Sequence, residues 1–306
     1  MTTVAIIGPG RVGTLLATAA VRARWRVVAV GSGSETSRDA LLSRVAGARS
    51  CEDPGDAIRD ADLVLLTVPD DALEPLVSDL AVADAFTEGQ RVVHVAGSRG
   101  LGVLRRAALS GTRVAACHPA MTVPTGVTDP AVLDGVAWAV TATPANRGWA
   151  RELVTDLGGD PYDVADEMRT LYHAALAVGS NAVGAAVVTA RRLLLAASVE
   201  RPEAFLAPLV RASVANAVTH GASALTGPIV RGDLGTVAHH LDAIEADLPE
   251  LAAAYRFLAL ATLEPVRLGL AAETVAALRA LLGADGDAAG AASVPAAPDP
   301  RSRPED

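Results

Sequence analysis

The chain has 306 residues, of which 51% are hydrophobic and 20% charged, and its formal net charge is -9. This length suggests two domains, and the composition allows a large buried core. An acidic chain with only 3% aromatic residues is poorly suited to bind nucleic acid or an anionic membrane surface. All 26 basic residues are arginine, which excludes a lysine general acid, a lysine Schiff base and a P-loop.

The two cysteines, Cys51 and Cys117, are far apart and lack the spacing of a zinc site or of a disulfide framework. We therefore predict neither a metal centre nor disulfides. The chain opens on a predicted strand without a charged and apolar leader segment. This pattern favours a cytoplasmic, reducing location.

A glycine motif opens the chain. Residues 4–7 are an apolar run typical of a buried parallel strand, and residues 14–20 predict a helix. Between them Gly8 allows a sharp turn, Gly10 lets a pyrophosphate approach the backbone, and Gly13 allows close helix packing. The helix start offers free N–H groups and partial positive charge to phosphates. We predict a dinucleotide-binding loop, which also contains Pro9, Arg11 and Val12; the alternative is an ordinary glycine-rich turn.

The end of the second predicted strand favours NADP, bound as NADPH, over NAD. NAD-preferring folds of this kind carry an Asp or Glu there, which binds the ribose 2′-hydroxyl. Here small hydroxyl residues, Ser32 and Ser34, follow the strand, and Arg38 and Arg11 can add positive charge for a 2′-phosphate. Glu35 is the counter-argument for NAD. The two serines also fit as caps of the next helix.

Strands alternate with helices up to about residue 165, which predicts an α/β fold with a Rossmann doubly wound parallel sheet. The strands predicted after the first are residues 26–31, 60–70, 91–98, 112–119, 136–141 and 161–164, with a helix at 146–158. In open α/β sheets ligands bind at the carboxyl ends of the strands. Val68 and Pro69 are therefore expected beside the cofactor, although they could simply terminate their strand.

Polar side chains follow or end two further strands. Ser98 and His118 lie at these carboxyl ends and are expected to converge near the nicotinamide. His94 lies inside a strand, where a structural role is favoured. For His118 the catalytic and structural roles remain equally open.

The pattern becomes all-helical after residue 165. Helices are predicted at 166–199, 203–220, 234–259 and 263–282. We predict a dinucleotide-binding Rossmann domain at 1–165, an all-helical substrate and dimerisation domain at 166–285, and a disordered tail at 286–306. The tail consists of Ala, Pro, Gly and charged residues without periodicity.

The first helical segment is unusually apolar, since residues 170–190 contain no Asp, Glu or Arg. Because His173, Ser180 and Asn181 interrupt it, a central core helix at a dimer interface is favoured over a membrane span. His173 and Asn181 are eight residues apart and share a helix face. Buried polar groups need partners, which in a cleft can be a substrate or otherwise a neighbouring helix.

A Gly/Pro-rich loop at residues 226–233 separates two predicted helices and carries Arg231 and Asp233. Arg231 could hold a substrate carboxylate through two hydrogen bonds. The alternative is an Arg–Asp pair that closes the loop, which is favoured more for Asp233 than for Arg231.

Six motifs occur in an order that resembles a known bacterial family. They are the glycine loop, V-P-D at 68–70, H-x-x-G-S at 94–98, C-H-P at 117–119, Y-H-A-A with S-N at 172–181, and T-G-P-I-V-R-G-D at 226–233. The chain resembles, over residues 3–260, Rossmann-like oxidoreductases with a characteristic all-helical C-terminal domain. That family belongs to the 6-phosphogluconate dehydrogenase-like superfamily, beside pyrroline-5-carboxylate reductases and ketopantoate reductases.

The resemblance implies NADP(H) binding and a homodimer formed through the helical domain. Some members of the family serve as an alternative ketopantoate reductase. Hydroxyacid dehydrogenases of the superfamily use a Lys with an Asn on the first helix of the second domain. This chain has no Lys, and His173 with Asn181 occupies a similar place, so His173 is the expected replacement acid.

These observations predict an NADPH-dependent reductase acting on a small-molecule substrate. His173 would protonate the nascent oxygen or nitrogen, Asn181 and Ser98 would orient the reacting group, and Arg231 would hold a carboxylate; His118 is the next candidate acid. A ketopantoate-like 2-oxo acid is the leading substrate by family analogy. A cyclic imine of the pyrroline-carboxylate type is the alternative, and a non-catalytic NADP-binding sensor is the third possibility.

Overall fold

The computed structural model describes residues 1–284. Its strands are β1 (Thr3–Ile7), β2 (Arg26–Gly31), β3 (Arg49–Cys51), β4 (Leu63–Leu66), β5 (Arg91–His94), β6 (Arg113–Pro119), β7 (Ala137–Ala142) and β8 (Asp160–Asp163). Its first six helices are α1 (Arg11–Arg22), α2 (Glu35–Leu42), α3 (Pro54–Ile58), α4 (Leu73–Val82), α5 (Arg105–Leu109) and α6 (Pro144–Asp156). The remaining helices are α7 (Arg169–Ala177), α8 (Val183–Ala196), α9 (Pro202–His220), α10 (Pro228–Arg231), α11 (Leu234–Asp247), α12 (Ala252–Val266) and α13 (Ala272–Leu281).

The strands form one sheet in the order β3-β2-β1-β4-β5-β6-β7-β8. The chain reverses its direction of winding at the border between β1 and β4, which confirms the predicted doubly wound Rossmann sheet followed by helices. Two details differ from the prediction. Strand β3 was not expected, and β7 runs antiparallel to β6. A parallel neighbour needs a long crossover, whereas the segment between β6 and β7 contains only the short 3₁₀ turn Pro130–Leu133.

Both faces of the sheet are covered. Successive β1 side chains point to opposite faces, so Val4 and Ile6 pack in the layer that contains α1 and α6. Ala5 and Ile7 pack in the other layer, which contains α3 and α4. A strand buried on both sides needs a continuous apolar run, and this is why the glycine loop follows one.

The chain divides into two compact units, of which the first is Met1–Ser180 and the second begins at Asn181. The first unit therefore reaches past residue 165, where the sequence places the end of the Rossmann domain, because it includes α7. The predicted disordered tail at 286–306 lies outside the described residues.

Three of the predicted helices are interrupted, and the one expected at 263–282 is broken by the 3₁₀ turn Arg267–Gly269 between α12 and α13. The helix expected at 166–199 contains a π-helical turn, Val178–Ala182, between α7 and α8. The helix expected at 234–259 ends at Asp247, because Pro249 starts a 3₁₀ turn before α12. A small core holds α10 to α13 together, and its fully buried residues include Val237, Leu263 and Leu278.

Within the single described chain, residues 170–190 are not buried as a central core helix would be, whereas the predicted dimer interface at this segment stays a prediction. The helical run Asp166–Ala196 is long and apolar enough to cross a membrane, yet none of its most apolar window is buried. Its exposed apolar side chains include Leu171, Val178 and Val188, which are 60–65% accessible. Helix α9 is similar, with Phe205, Leu209 and Val218 at 61–83%. The low charge of these helices therefore reflects surface that the described chain leaves uncovered.

Candidate active site

The glycine loop has the geometry that a phosphate-binding loop requires. Gly8 has a φ of +99°, and a Cβ there would lie 2.7 Å from Val68 N. A Cβ on Gly13 would overlap the Gly8 carbonyl oxygen. At Gly10, by contrast, a Cβ would meet no atom within 4 Å. Gly10 is also the N-cap residue of α1, so it faces open space where free N–H groups and the helix dipole favour an anion.

Thr67 fixes this loop from the neighbouring strand. Its hydroxyl donates to the Gly8 carbonyl oxygen at 2.6 Å and lies 3.1 Å from the Ile7 carbonyl oxygen. A Cβ on Gly13 would also approach this hydroxyl to 2.6 Å. Thr67 was not among the predicted site residues. Its position immediately after a buried strand, at the sheet edge where ligands bind, was the available signal.

A cleft of about 440 Å³ opens over the loop. Eight of the predicted cofactor residues line it: Gly8, Pro9, Gly10, Arg11, Val12, Ser32, Val68 and Pro69. Two further lining residues, Ser37 and Thr67, were not predicted. The arrangement fits a dinucleotide whose pyrophosphate lies at Gly10.

The loop after β2 uses its polar groups partly for its own structure. Ser34 caps α2 and accepts from Ser37 N at 3.3 Å, as the capping alternative predicted. The buried Arg38 donates to Ser50 Oγ at 2.8 Å and also to the Ser32 carbonyl oxygen. Arg38 therefore holds the loop in place, while Ser32 and Ser37 face the cleft.

A hydrogen-bonded pair lies at the next strand ends. Ser98 Oγ donates to Asp70 Oδ2 at 3.0 Å, and both residues are half-buried. The register explains the contact, because Leu66 pairs with His94 and each partner of the pair lies four residues beyond. Ser98 was predicted as a site residue, whereas Asp70 was not. Asp70 directly follows Pro69, which lines the cleft over the glycine loop.

A second pair joins a strand to the first helix beyond the sheet. His118 Nδ1 and the Tyr172 hydroxyl are 2.9 Å apart, with the rings edge to face at 83°. His118 also meets the ring of His173 edge to face, at a centroid distance of 5.7 Å. Residues 169, 172 and 173 share one face of α7 because they are three and four positions apart. This face brings two residues that the prediction missed, Tyr172 and Arg169, toward the predicted His118.

Arg169 is fully buried, and within residues 1–284 it contacts no carboxylate. It donates to the Ala96 carbonyl oxygen at 2.5 Å and to Thr141 Oγ1 at 3.2 Å, while its Nε has no partner. Burial and, after it, the charge of Arg169 lower the pKa of His118 to about 4. Burial raises the pKa of Tyr172, and Arg169 opposes that rise. At neutral pH the pair therefore consists of a neutral imidazole and a protonated phenol.

His94 has the structural role that its place inside a strand predicts. Its Nδ1 accepts from Ala96 N at 3.2 Å, which leaves Nε2 to donate to the Gly100 carbonyl oxygen at 3.0 Å. Both ring nitrogens are thus used within the backbone of one loop. Burial lowers the pKa of His94 to about 4, so the ring is neutral at physiological pH.

His173 packs against the backbone of the β5 loop. A Cβ on Gly97 would overlap the His173 ring, so only glycine fits there. His173 Nδ1 is buried without a hydrogen-bond partner, although the side chain as a whole is only half-buried. This proximity brings His173 and the loop that carries Ser98 together, as the predicted active site requires.

The remaining predicted site residues, Asn181 and Arg231, belong to the second unit. Asn181 is exposed within the π-helical turn, and Arg231 is exposed at the end of α10. Asp233 caps α11 by accepting from Thr236 N at 3.0 Å, and hydrogen bonds from Thr236 lower its pKa.

A cavity of about 350 Å³ in this unit is lined mainly by apolar side chains and by His240 and Tyr255. Within residues 1–284, no group of three or more His, Cys, Asp or Glu side chains could hold a metal ion.

Comparison with known domain families matches both halves of the chain. Residues 1–119 match the Rossmann-like domain, and residues 136–262 match a domain of unknown function, DUF2520. The first part of the chain is thus similar to a Rossmann-like domain and the second part to the DUF2520 domain, which fits the predicted fold class. The comparison with curated proteins finds no match.

Several solved structures share the fold. A candidate NADP oxidoreductase from Bacteroides fragilis is 23% identical with a TM-score of 0.71, over 86% of this chain and 98% of that one. An imine reductase from Myxococcus stipitatus in complex with NADP+ is 19% identical with a TM-score of 0.65, over 87% and 93%. An imine reductase from Streptomyces aurantiacus is 18% identical with a TM-score of 0.63, over 92% and 99%. At these identities the likeness shows a common fold.

Proposed function

We propose that the chain is an NAD(P)H-dependent reductase that acts on a C=O or C=N bond of a small molecule. The observation that carries the proposal is the open space at Gly10, inside a cleft whose edge leads through Pro69 to the Asp70–Ser98 pair. A cofactor loop and a cluster of polar groups are thus adjacent on one sheet edge. The names of the structural relatives, an NADP oxidoreductase and two imine reductases, support the same class.

The cofactor would be held by the glycine loop and the strand ends around it. The N–H groups at the start of α1 would bind the pyrophosphate, with Arg11 adding charge, while Val68 and Pro69 would flank the dinucleotide. When bound, the reduced nicotinamide supplies the hydride. NADPH is favoured over NADH because Ser32 and Ser37, rather than an acidic side chain, line the cleft beyond β2.

The chain's own residues would orient the reacting bond and supply a proton where one is needed. His173 remains the proposed donor for a carbonyl substrate, since an imidazole can release a proton near neutral pH. His118 is neutral there and would act as the hydrogen-bond partner of Tyr172 instead. Asn181 as an orienting group and Arg231 as a carboxylate ligand remain proposals for the helical domain.

Two substrate classes follow from different observations. The resemblance to ketopantoate reductases favours a small 2-oxo acid. The imine reductases among the structural relatives favour a cyclic imine. A non-catalytic NADP-binding sensor would bind the cofactor without oxidising it.

The proposal includes a cytoplasmic homodimer. Its support is the uncovered apolar surface of α7, α8 and α9, which a second copy of the chain could bury. Light scattering after size-exclusion chromatography would show twice the mass of the 31.1 kDa chain. A monomer, or a protein that requires detergent, would contradict this part of the proposal.

One experiment tests the function. Calorimetric titration with NADPH and NADH measures binding, and NADPH absorbance is then followed with a panel of 2-oxo acids and cyclic imines. We expect NADPH to bind more tightly than NADH, and oxidation with one substrate class. Failure of both cofactors to bind would refute the function, and binding without any oxidation would favour the sensor.

A further inference from the structure

The Asp70–Ser98 pair offers hydrogen-bond acceptors rather than donors. A serine hydroxyl has a single hydrogen, and that of Ser98 points to Asp70 Oδ2 at 3.0 Å. The hydroxyl can then only accept from a third group. An ionised carboxylate likewise has lone pairs and no hydrogen to give. The pair therefore presents lone pairs and a negative charge to its surroundings.

These groups lie where the reacting bond is expected. Asp70 follows Pro69 at the cofactor cleft, and the loop of Ser98 passes under the His173 ring at Gly97. The two residues are half-buried, so part of each remains accessible. A ligand atom that contacts Ser98 would thus lie beside Asp70, which follows the cleft-lining Pro69, and beside the loop against which His173 packs.

The charged and titratable groups around the pair are Arg169, Asp166 and three histidines, His94, His118 and His173. Arg169 is the buried cation, and its contacts are carbonyl and hydroxyl oxygens rather than a carboxylate. His94 and His118 are neutral at physiological pH, because burial lowers their pKa values to about 4. Asp166 accepts from Leu101 N at 2.6 Å and adds a second negative charge. At neutral pH, neither His94 nor His118 therefore carries a positive charge that would repel a cation bound at the pair.

These properties distinguish the two candidate substrate classes. A ketone oxygen carries only lone pairs and would face the lone pairs of Ser98 and Asp70. A protonated imine carries an N–H donor and a positive charge, both of which match the pair. The pair is thus complementary to C=N–H⁺ and not to C=O.

We propose that Asp70 and Ser98 form the acceptor site for the N–H group of a protonated imine. The substrate class is then an iminium ion and the product an amine. This inference rests on the proposed reductase function and selects one of its two substrate classes. In the step, a C–H bond of the reduced nicotinamide would break and its hydride would form a C–H bond at the iminium carbon, so the cofactor would be oxidised to NADP+ and the iminium reduced. The electron pair of the C=N bond moves to nitrogen, which keeps its hydrogen, so no protein acid is consumed.

The test compares ring compounds of the same shape. Pyrrolidine, protonated at neutral pH, is titrated against tetrahydrofuran on the full chain with NADP+ present. We expect pyrrolidine to bind the wild-type protein at least tenfold more tightly than tetrahydrofuran. Asp70→Asn and Ser98→Ala should each remove most of that preference. The matched control is Asp71→Asn, which changes the exposed neighbouring carboxylate and should leave the preference intact.

A second measurement follows NADPH oxidation with 1-pyrroline and with cyclopentanone. We expect the imine to react faster, and the ratio of the two rates to fall at least tenfold in Asp70→Asn. The proposed acceptor site would be refuted if pyrrolidine and tetrahydrofuran bound equally well. It would also be refuted if Asp71→Asn lost the preference for the imine as Asp70→Asn does. If NADPH itself does not bind, the proposed reductase function fails instead. Melting temperatures show whether Asp70→Asn or Ser98→Ala is destabilised. If one of them is, the binding preference of the other variant tests the acceptor site.

Discussion

The chain contains two tyrosine–histidine pairs that are built alike and placed differently. His118 Nδ1 lies 2.9 Å from the Tyr172 hydroxyl, and His240 Nδ1 lies 2.9 Å from the Tyr255 hydroxyl. The ring centroids of each pair are 5.8 Å apart, at 83° and 86° respectively. The first pair lies at the carboxyl edge of the sheet beside a buried arginine. The second borders an apolar cavity of the helical unit.

A hydrogen bond between a histidine and a tyrosine does not by itself define an active site. Burial raises the pKa of both tyrosines, but only for Tyr172 does a neighbouring cation, Arg169, oppose the rise. The sheet edge also adds Asp70, Ser98 and His173 within one cluster, beside a cofactor cleft. We therefore propose that catalysis takes place at the sheet edge rather than at the cavity of the helical unit.

The largest effect is expected at the cofactor loop. Gly10→Val would place a branched side chain in the space where the pyrophosphate is proposed to lie, so NADPH binding should be lost. Because a Cβ at Gly10 meets no atom within 4 Å, the fold should survive. Calorimetry and a melting curve measure the two outcomes. Gly148→Val, at an equally open and exposed glycine of α6, is the matched control. Normal NADPH binding by Gly10→Val would move the cofactor site elsewhere.

The next effect concerns the proton donor. With a carbonyl substrate, His173→Ala should lower kcat by about 10²–10⁴, the usual loss for a general acid. The Kd for NADPH should change little, because His173 does not line the cofactor cleft. With an iminium substrate the loss in kcat should be much smaller, since that reaction consumes no protein acid. A variant that keeps kcat for carbonyls but loses thermal stability would assign His173 a packing role only.

A smaller effect separates the two pairs directly. Tyr172→Phe and Tyr255→Phe each remove one hydrogen bond, so both should lose about 0.5–1.5 kcal/mol of unfolding free energy. Only Tyr172→Phe should also lower kcat/KM, by about tenfold for about 1.4 kcal/mol of transition-state stabilisation. Urea unfolding and steady-state kinetics on the same preparations measure both. Equal kinetic losses in the two variants would contradict the assignment of catalysis to the sheet edge.

The features that could be predicted from the sequence are those encoded locally. The apolar strand, the three glycines and the helix after them lie within about 20 residues, and the cleft forms over them as expected. The alternation of strands and helices gave the sheet, and the Ser34 cap was visible in the sequence. Such signals depend on near neighbours, which is why they survive without knowledge of the tertiary structure.

The missed residues depend on contacts between distant segments. Asp70 becomes a candidate site residue because Ser98, 28 residues away, donates a hydrogen bond to it, and the register of β4 and β5 brings the two together. Arg169 begins a helix and would ordinarily be solvent-exposed, yet packing against Ala96, 73 residues away, buries it fully. The sequence could not decide whether its own chain or another molecule covers the helix at residues 170–190, because an apolar helix has the same pattern in both cases.

A further expected effect is a dependence of stability on pH that arises at the sheet edge. Burial lowers the pKa of His94 from 6.5 to about 4. Between these two values the unfolded chain binds a proton that the folded chain does not. Stability is therefore complete above about pH 6.5 and falls as the pH decreases toward 4, by up to about 1.4 kcal/mol per pH unit for one such histidine. His118 adds a smaller contribution in the same direction, because it is only half-buried and partly screened by solvent.

Urea unfolding at pH 5 and pH 7 measures this dependence. Asp62 does not contribute to the difference between pH 5 and pH 7. Hydrogen bonds from Thr3 lower its pKa, so the stability that it contributes is lost only at pH values below the ordinary pKa of a carboxyl group. His94→Gln removes the titrating ring, so the difference in unfolding free energy between the two pH values should shrink. His239→Gln, at an exposed position of the helical unit, is the control. If His94→Gln leaves the pH dependence unchanged while His239→Gln reduces it, the proton uptake on unfolding belongs to the helical unit, and the electrostatic contrast between the two regions is reversed.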